Sequence, residues 1–376
     1  MIINTFFLRV AASCNLDCDY CYVFKHRDMS WKNMPSIIHK EIVVKFAERL
    51  KEYADKFSLK NVNVIFHGGE PLMCGEQRII EFVDIIDSAL GKDIKASYSM
   101  QTNGTLLTSS FLQACEEKNI GISLSIDGHK GVHNKHRKYK NGKGSHDDVV
   151  SGISLLKQHP IIFEGVIGVI DPAFDPEDVL VFFDDLEVEN VDLLLPDSTY
   201  MDPPQGKDQN PDLYKQWLIS AFDTWFFNHQ SIRLRTFEHI LTGVMGKNGS
   251  LDAFGLGSLD YLTIETDGTY HTSDILKVAY ENASAIGFGV NEASIETALL
   301  NEKVEQYNSL LKPETLPNKC KSCIYSHLCG GGSLPHRYDE KTGFNNPSVY
   351  CDEMFALINH AVEMVQKAVE EEIKNG

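Results

Sequence analysis

The chain lacks the features that would place it in a membrane, outside the cell or on a nucleic acid. No apolar run approaches the ~20 residues that a membrane-spanning helix needs. Positive charge is scarce, because 35 Lys and Arg stand against 53 Asp and Glu, for a net charge of −18. That balance argues against nucleic acid and anionic membrane as main partners. An export signal is not expected either, since no basic segment precedes the first apolar run and Arg9 interrupts it.

Paired cysteines of the kind found in secreted proteins are also missing. The nine cysteines are odd in number and cluster near the two ends, which does not fit a disulfide framework. Free thiols of this kind are typical of a reduced compartment, so we expect a cytoplasmic protein. Cys74 and Cys115 have no partner at metal-ligand spacing and are expected to be buried as small hydrophobic residues.

Three cysteines stand together near the N-terminus, in the order Cys14-x₃-Cys18-x₂-Cys21. They follow an apolar stretch at residues 3–10 that is typical of a β-strand. Three thiolates can hold three irons of a 4Fe–4S cube and leave the fourth iron open to a small chelating ligand. A zinc site with His26 as fourth ligand is the alternative, and scattered core cysteines are another.

Strand and helix patterns alternate six times along the chain, starting with the stretch before this loop. The predicted strands and helices lie at residues 3–10, 41–54, 62–66, 77–90, 97–100, 109–118, 120–126, 147–158, 163–170, 176–186 and 191–195. Such alternation predicts parallel strands with helical crossovers, closed or half-closed into a barrel. Chemistry in barrels of this kind sits at the carboxyl ends of the strands. The polar residues that follow the predicted strands are Gly68, Gly69, Glu70, Gln101, Asn103, Ser125, Asp127 and Asp197.

The rest of the chain changes in character after residue 199. A polar linker leads to two predicted helices at 213–228 and 232–246, and a hairpin is expected at 262–270 around Asp267-Gly268. Further helices are predicted at 304–311 and 352–374. We therefore expect three segments: a barrel at 1–199, a helical bridge at 200–255 and a C-terminal domain at 256–376.

A second cysteine group lies in that C-terminal segment, at Cys320-x₂-Cys323-x₅-Cys329, followed by Cys351. Four thiolates can close a 4Fe–4S cluster. Zinc is the competing occupant, because a CxxC pair with two further cysteines is also a zinc pattern.

The N-terminal spacing, with Tyr20 before its last cysteine, resembles the radical S-adenosylmethionine (SAM) family. This resemblance implies an α/β fold, a partial (β/α)6 TIM-type barrel that binds SAM on the open cluster. Gly68, Gly69 and Glu70 would hold the methionine amino group. The SAM site would further include Tyr20, Gln101, Asn103, Ser125, Asp127 and Arg137. Arg137 could equally be a surface cation.

The second group, with Gly330, Gly331 and Gly332 after Cys329, resembles the SPASM domain of peptide-modifying radical SAM enzymes. That domain usually holds two auxiliary clusters, but Ser333 stands where a cysteine is usual and the predicted hairpin has none. The resemblance therefore implies one auxiliary cluster, on Cys320, Cys323, Cys329 and Cys351. His271 or Asp274, at the end of the hairpin, could act as a ligand, but a solvated hairpin is the expectation we adopt.

The segments at residues 329–338 and 343–351 closely resemble the cyclophane-forming (FxsB-type) radical SAM/SPASM maturases. This implies a ribosomal precursor peptide in which a 5′-deoxyadenosyl radical starts a bond between an aromatic ring carbon and a β-carbon. It also implies an electron donor such as flavodoxin or ferredoxin. Candidate proton acceptors are Asp197, Asp202, Asp274 and His336. The alternatives are a sulfatase-maturing or other SPASM peptide oxidase, and a non-catalytic iron–sulfur or zinc scaffold.

Overall fold

The computed structural model describes residues 1–246 and 254–375, so that residues 247–253 of the predicted bridge lie outside the described residues. No helix in the described residues is long and apolar enough to cross a membrane. The strands are β1 Thr5–Ala11, β2 Asn61–Gly68, β3 Lys95–Thr102, β4 Ile120–Ser125, β5 Phe163–Val169, β6 Asn190–Leu194, β7 Arg233–Leu234, β8 Tyr261–Ile264, β9 Thr269–His271 and β10 Ala285–Gly289.

Thirteen α-helices lie among the described residues, together with several 3₁₀ turns. They are α1 Lys40–Lys56, α2 Glu76–Leu90, α3 Ser109–Lys118, α4 Lys130–His136, α5 His146–Leu156, α6 Pro176–Asp185, α7 Leu213–Asn228, α8 Arg235–Val244, α9 Ile295–Leu299, α10 Glu302–Leu310, α11 Asn318–Lys321, α12 Ser326–Cys329 and α13 Cys351–Asn375.

The chain forms two compact units. The first consists of Met1–Ile126, His133–Val166 and Leu259–Tyr307. Its sheet has the strand order β10-β9-β8-β1-β2-β3-β4, and β8, β1, β2, β3 and β4 run parallel to their neighbours in that order. Alternate residues of β2 are buried, as expected of a strand with one face in a core. The predicted α/β fold with parallel strands is therefore confirmed, and the carboxyl ends of these strands share one edge.

The hairpin predicted in the C-terminal segment belongs to this first sheet. Strand β8 pairs in parallel with β1, from Thr5 opposite Tyr261 to Leu8 opposite Ile264, and β9 returns antiparallel to β8. The expectation that His271 and Asp274 are solvated is wrong, since they are 2% and 6% exposed. The segment boundaries after residues 199 and 255 stay predictions.

The second unit consists of Asp127–Val132, Ile167–Ser258 and Asn308–Gly376. Its aromatic helix α7 packs against α6 and α13, and each buried indole has its N–H satisfied. Trp217 donates to the Phe174 carbonyl at 2.9 Å, and Trp225 donates to the Ile232 carbonyl at 2.7 Å. The helix expected at residues 232–246 begins later, at Arg235, because the two residues before it form β7 beside β6.

Candidate functional site

The three N-terminal cysteines lie on the loop that leaves the carboxyl end of β1, and all three are partly buried. The Leu16 N–H donates to the Cys14 sulfur at 3.4 Å, and burial raises the pKa of the Cys14 thiol to about 12. Burial also raises the pKa of Cys21. The backbone N–H groups of Val23 and Phe24 donate to its sulfur and oppose that shift. Such N–H donors stabilise a metal-bound thiolate, so these residues fit an iron–sulfur cluster.

Gly68 and Gly69 hold the end of β2 against the segment that leads to Cys14. Gly68 has φ +157°, and a Cβ there would lie 2.4 Å from the Ala11 carbonyl oxygen. The Gly69 N–H donates to Ala11 at 2.8 Å and the Glu70 N–H donates to Ser13 at 3.0 Å. Only glycine permits this approach of two backbones. The glycines therefore position the cysteine loop, whatever they contact in a ligand.

Glu70 joins the ends of β2 and β3 through a carboxylate that is 1% exposed. It accepts hydrogen bonds from the Thr102 hydroxyl at 2.7 Å and from the backbone N–H groups of Asn103 at 2.7 Å and Leu72 at 3.0 Å. Burial raises the pKa of Glu70, and these bonds oppose the shift. Its direct contact with a methionine amino group stays a prediction.

Asn103 links Glu70 to the cysteine loop through hydrogen bonds. Its side-chain amide donates to the side-chain Oδ1 of Asn15 at 2.8 Å and lies 3.8 Å from the Cys14 sulfur. Its own carbonyl oxygen accepts from the Thr105 hydroxyl at 2.7 Å. Glu70, Asn103 and Cys14, which the sequence singled out on three different strand ends, thus lie together in the first unit.

Tyr20 and Arg137 also meet in this unit, with the guanidinium 5.5 Å from the centre of the phenol ring. A cation over an aromatic face is favourable, and it fixes Arg137 beside the cysteine loop. The Gln101 amide donates to the Ser125 hydroxyl at 2.9 Å, so these two residues share the ends of β3 and β4. Asp127 belongs to the second unit, where it accepts a hydrogen bond from the Val169 N–H at 3.0 Å.

Asp274 lies in a buried charge network that the sequence did not predict. The Asp274 carboxylate accepts from Arg9 at 2.6 Å and from the Tyr22 hydroxyl at 2.7 Å, and Tyr22 directly follows Cys21. Arg9 also pairs with Glu265 at 3.4 Å, and Glu265 pairs with Lys277 at 2.9 Å. The available signal was Arg9 itself, since a charge inside an apolar strand needs buried partners.

The ionisation of this network follows from burial and from its mutual charges. Burial opposes charge on Arg9, but Glu265, Tyr22 and Asp274 raise its pKa above the ordinary value. Burial likewise disfavours the Glu265 carboxylate, yet Arg9 and Lys277 lower its pKa to about 2. Burial, with the Asp274 charge, raises the pKa of Tyr22. These shifts favour a charged Arg9, an ionised Glu265 and a neutral Tyr22 phenol.

The four C-terminal cysteines line one cavity of about 240 Å³ in the second unit. Burial raises the pKa of Cys320, Cys329 and Cys351, to about 12 for Cys329. Among the described residues no three His, Cys, Asp or Glu side chains are arranged to hold one ion. A four-iron cluster binds each thiolate to a different iron, so its ligands need not converge on one point. The donor set and the cavity fit such a cluster.

The glycine run after Cys329 shapes one wall of this cavity. Gly330, Gly331 and Gly332 have φ of +57°, +83° and +75°, a run of left-handed conformations that other residues rarely adopt. The Gly331 N–H donates to the Cys329 sulfur. The glycine run therefore turns the chain around the sulfur and provides it with a backbone donor.

The remaining proton-acceptor candidates lie in the second unit. Asp197 is part-buried, 4.0 Å from Nε2 of His336, and Asp202 is exposed. His336 is 7% exposed, its Nε2 has no hydrogen-bond partner, and burial lowers its pKa to about 4. The structure thus brings Asp197 and His336 together and leaves Asp202 in solvent.

Comparison with known proteins places this geometry in a family context. A family model described as the radical SAM superfamily matches residues 8–186. A cysteine-type anaerobic sulfatase-maturating enzyme of Clostridium novyi is 24% identical over 91% of this chain and 90% of its own. The radical SAM cyclopropyl synthase TigE of Paramaledivibacter caminithermalis is 24% identical over 95% of this chain and 73% of its own.

Solved structures agree on the fold. The structure of native anSMEcpe with bound AdoMet superposes with a TM-score of 0.84 at 22% identity, covering 98% of this chain and 99% of that one. A second structure, native anSMEcpe with bound AdoMet and Cp18Cys peptide, gives a TM-score of 0.83 with the same coverage.

Proposed function

We propose that this enzyme, whose residues 8–186 match the radical SAM superfamily, uses SAM to oxidise a side chain of a peptide by two electrons. Cys14, Cys18 and Cys21 would hold a 4Fe–4S cluster with an open iron. When bound, that cluster supplies the electron that cleaves SAM. The contacts of Gly68, Glu70 and Asn103 support this role, since they fix the loop that carries the cysteines.

The observation that carries the proposal is the position of Asp274. A two-electron oxidation that starts by removing a hydrogen atom must also release a proton, so an acceptor is required. Asp274 lies in the same compact unit as the three cysteines and contacts the residue that follows Cys21. Arg9 and Tyr22 orient its carboxylate from two sides. We assign it the role of proton acceptor ahead of Asp197, Asp202 and His336.

A second cluster completes the proposed cofactor set. Cys320, Cys323, Cys329 and Cys351 line a single cavity and supply the four thiolates that a closed 4Fe–4S cluster needs. We also propose a flavodoxin or ferredoxin as the electron donor. Two cubane clusters would give about eight irons per chain. Zinc in place of iron would support the scaffold alternative instead.

Two kinds of peptide product are candidates, and one observation supports each. The C-terminal motif, which resembles the cyclophane maturases, favours a bond between an aromatic ring carbon and a β-carbon in a precursor peptide. Similarity over most of the chain to sulfatase-maturating enzymes favours oxidation of one cysteine or serine side chain. The neighbour that holds a peptide together with AdoMet supports a peptide substrate in either case.

Mass spectrometry of candidate peptides treated with reconstituted enzyme, SAM and a strong reductant tests the proposal. A crosslinked peptide loses two hydrogens, does not react with a hydrazide and gives no fragments between the joined residues. A peptide oxidised to an aldehyde reacts with the hydrazide. If replacement of Cys14, Cys18 and Cys21 by Ala left SAM cleavage intact, the proposal would be wrong.

Asp274→Asn tests the proton acceptor. We expect 5′-deoxyadenosine formation to continue while the peptide product falls by about 10²–10⁴-fold, the range for loss of a general base. Asp267→Asn is the matched control, because Asp267 is an exposed carboxylate in the turn of the same hairpin. Product formation by Asp274→Asn at the rate of the control would exclude Asp274 from this role.

A further inference from the structure

Arg337 is a fully buried cation in the second unit, with 0% exposure. Its Nε donates to the Phe344 carbonyl at 3.1 Å and its Nη1 donates to the Leu310 carbonyl at 3.0 Å. Its Nη2 is buried and has no hydrogen-bond partner. Both bonds go to neutral oxygens, so the guanidinium has its position fixed without its charge being neutralised.

A buried charge without a counter-charge is strongly unfavourable. Within the described part of the chain, no Asp or Glu lies in ion-pair range of Arg337, although Arg9, the other fully buried arginine, has Glu265 and Asp274. Burial lowers the pKa of Arg337, and the Coulombic influence of Cys320 and Cys329 opposes that shift. Their sulfurs carry negative charge once they bind a metal as thiolates.

Arg337 also lies against the wall of the cysteine-lined cavity. A Cβ built on Gly331 would lie 3.6 Å from the Cys320 sulfur and 3.7 Å from Nη1 of Arg337. The guanidinium and the sulfur thus flank the same glycine, beside the Leu316 side chain, whose Cδ2 lies 3.5 Å from that Cβ. The counter-charge that Arg337 lacks would therefore come from the thiolates and the metal group that they bind.

We propose that Arg337 is the buried counter-charge of the C-terminal cluster and raises its reduction potential. This inference rests on the proposed cluster at Cys320, Cys323, Cys329 and Cys351. A cluster held by four thiolates is an anion, and its net charge and the hydrogen bonds around it set its potential. A fixed cation stabilises the reduced form more than the oxidised form, because reduction adds one negative charge. Burial keeps water from screening that effect.

A redox titration followed by EPR, without peptide, tests the effect. The parent protein is the full chain with Cys14, Cys18 and Cys21 replaced by Ala, so that only the C-terminal cluster contributes. With Arg337→Gln we expect at least a tenfold lower ratio of reduced to oxidised cluster at a given potential, which is 59 mV for a one-electron couple. Arg337→Lys keeps the charge and should stay within threefold of the parent.

Arg233→Gln is the matched control, since it removes the same charge from a side chain that is 67% exposed and pairs with Glu238. Its C-terminal cluster should have the same reduction potential as that of the parent. The inference is overturned if Arg337→Gln also titrates with the parent, or if Arg337→Lys shifts as far as Arg337→Gln.

Arg337→Met keeps the inference testable if the glutamine variant does not fold. As a counter-charge, Arg337 should matter most when the cluster is present, so the methionine variant should lower the Tm of the loaded chain more than that of the cluster-free chain. Equal losses would reveal a purely structural role and overturn the inference. A parent without iron would overturn the proposed cluster together with it, whereas iron with an unchanged potential overturns this inference alone.

Discussion

Replacing Glu265 by Gln should destabilise the first unit more than any exposed charge change of the same kind. Glu265 stands between the buried cations Arg9 and Lys277, and all three side chains are at most 2% exposed. Glutamine has nearly the same size, so the substitution opens no cavity. It removes one of two carboxylates that balance two cations, and it leaves an excess positive charge in the core.

The expected cost follows from the pKa of Glu265. Arg9 and Lys277 lower it to about 2 against burial, from an ordinary value of 4.5. Each pKa unit corresponds to 1.36 kcal/mol, so the ionised carboxylate contributes about 3 kcal/mol to the free energy of unfolding at neutral pH. Removing one partner of a buried ion pair typically costs ~3–5 kcal/mol, which agrees with this figure.

Hydrogen exchange of β1 and β8, read by mass spectrometry, measures this loss where it occurs. At pH 7 their amides should exchange about a hundredfold faster in Glu265→Gln than in the wild type. Because the folded pKa is lowered, the contribution is complete above 4.5 and is lost as the pH falls toward about 2. The ratio between variant and wild type should therefore shrink below pH 4.5.

Glu238→Gln is the control, because its pair with Arg233 is exposed and solvent screening leaves it little effect on stability. Equal exchange in the two variants would refute the reasoning. So would an unchanged ratio between pH 7 and pH 4, since the effect would then not arise from ionisation of Glu265.

Two further substitutions probe backbone geometry and burial. Gly68→Ala puts a Cβ 2.4 Å from the Ala11 carbonyl oxygen and should lower the amount of iron bound near Cys14. Gly142 has φ +85° and open space around it, so Gly142→Ala should retain the iron. Equal iron in the two variants would contradict the role of Gly68. His336→Phe should make the stability of the second unit less sensitive to acid between pH 6.5 and about 4. In the wild type, burial lowers the pKa of His336, so the unfolded chain binds a proton in this range more readily than the folded chain and is favoured as the pH falls. Thermal unfolding against pH measures this, and a profile unchanged from the wild type would count against it.

Local patterns predicted the regular elements well and the short or distant ones poorly. Strands β1 to β6 and most of the helices between them lie within a few residues of the predicted bounds, because their apolar periodicity is strong. The short helix α4 between β4 and β5 was not predicted. Strand β7 has two residues and β10 contains two glycines, so neither has a periodic pattern. The parallel pairing of β8 with β1 joins segments about 250 residues apart, and no local signal encodes it.

In the candidate site, too, the residues with a local sequence pattern were predicted and those joined by distant contacts were not. The cysteines were found from spacing, and the structure brings Cys14, Glu70 and Asn103 together in one unit and lines one cavity with the C-terminal four. Their roles as ligands stay predictions. The network of Arg9, Tyr22, Glu265, Asp274 and Lys277 was missed, because Arg9 indicates that buried partners exist but local sequence does not tell which distant residues they are.

The central place of β1 in its sheet has a consequence for biosynthesis. This strand is made before the other strands of its sheet, and one of its two neighbours, β8, emerges from the ribosome about 250 residues later. At ordinary elongation rates the delay is on the order of ten to fifty seconds, during which one edge of β1 has no partner. An open strand edge invites pairing with other chains. Nascent or truncated forms that end before Tyr261 should therefore need a chaperone, and metal loading at the neighbouring loop should follow completion of the chain rather than accompany it.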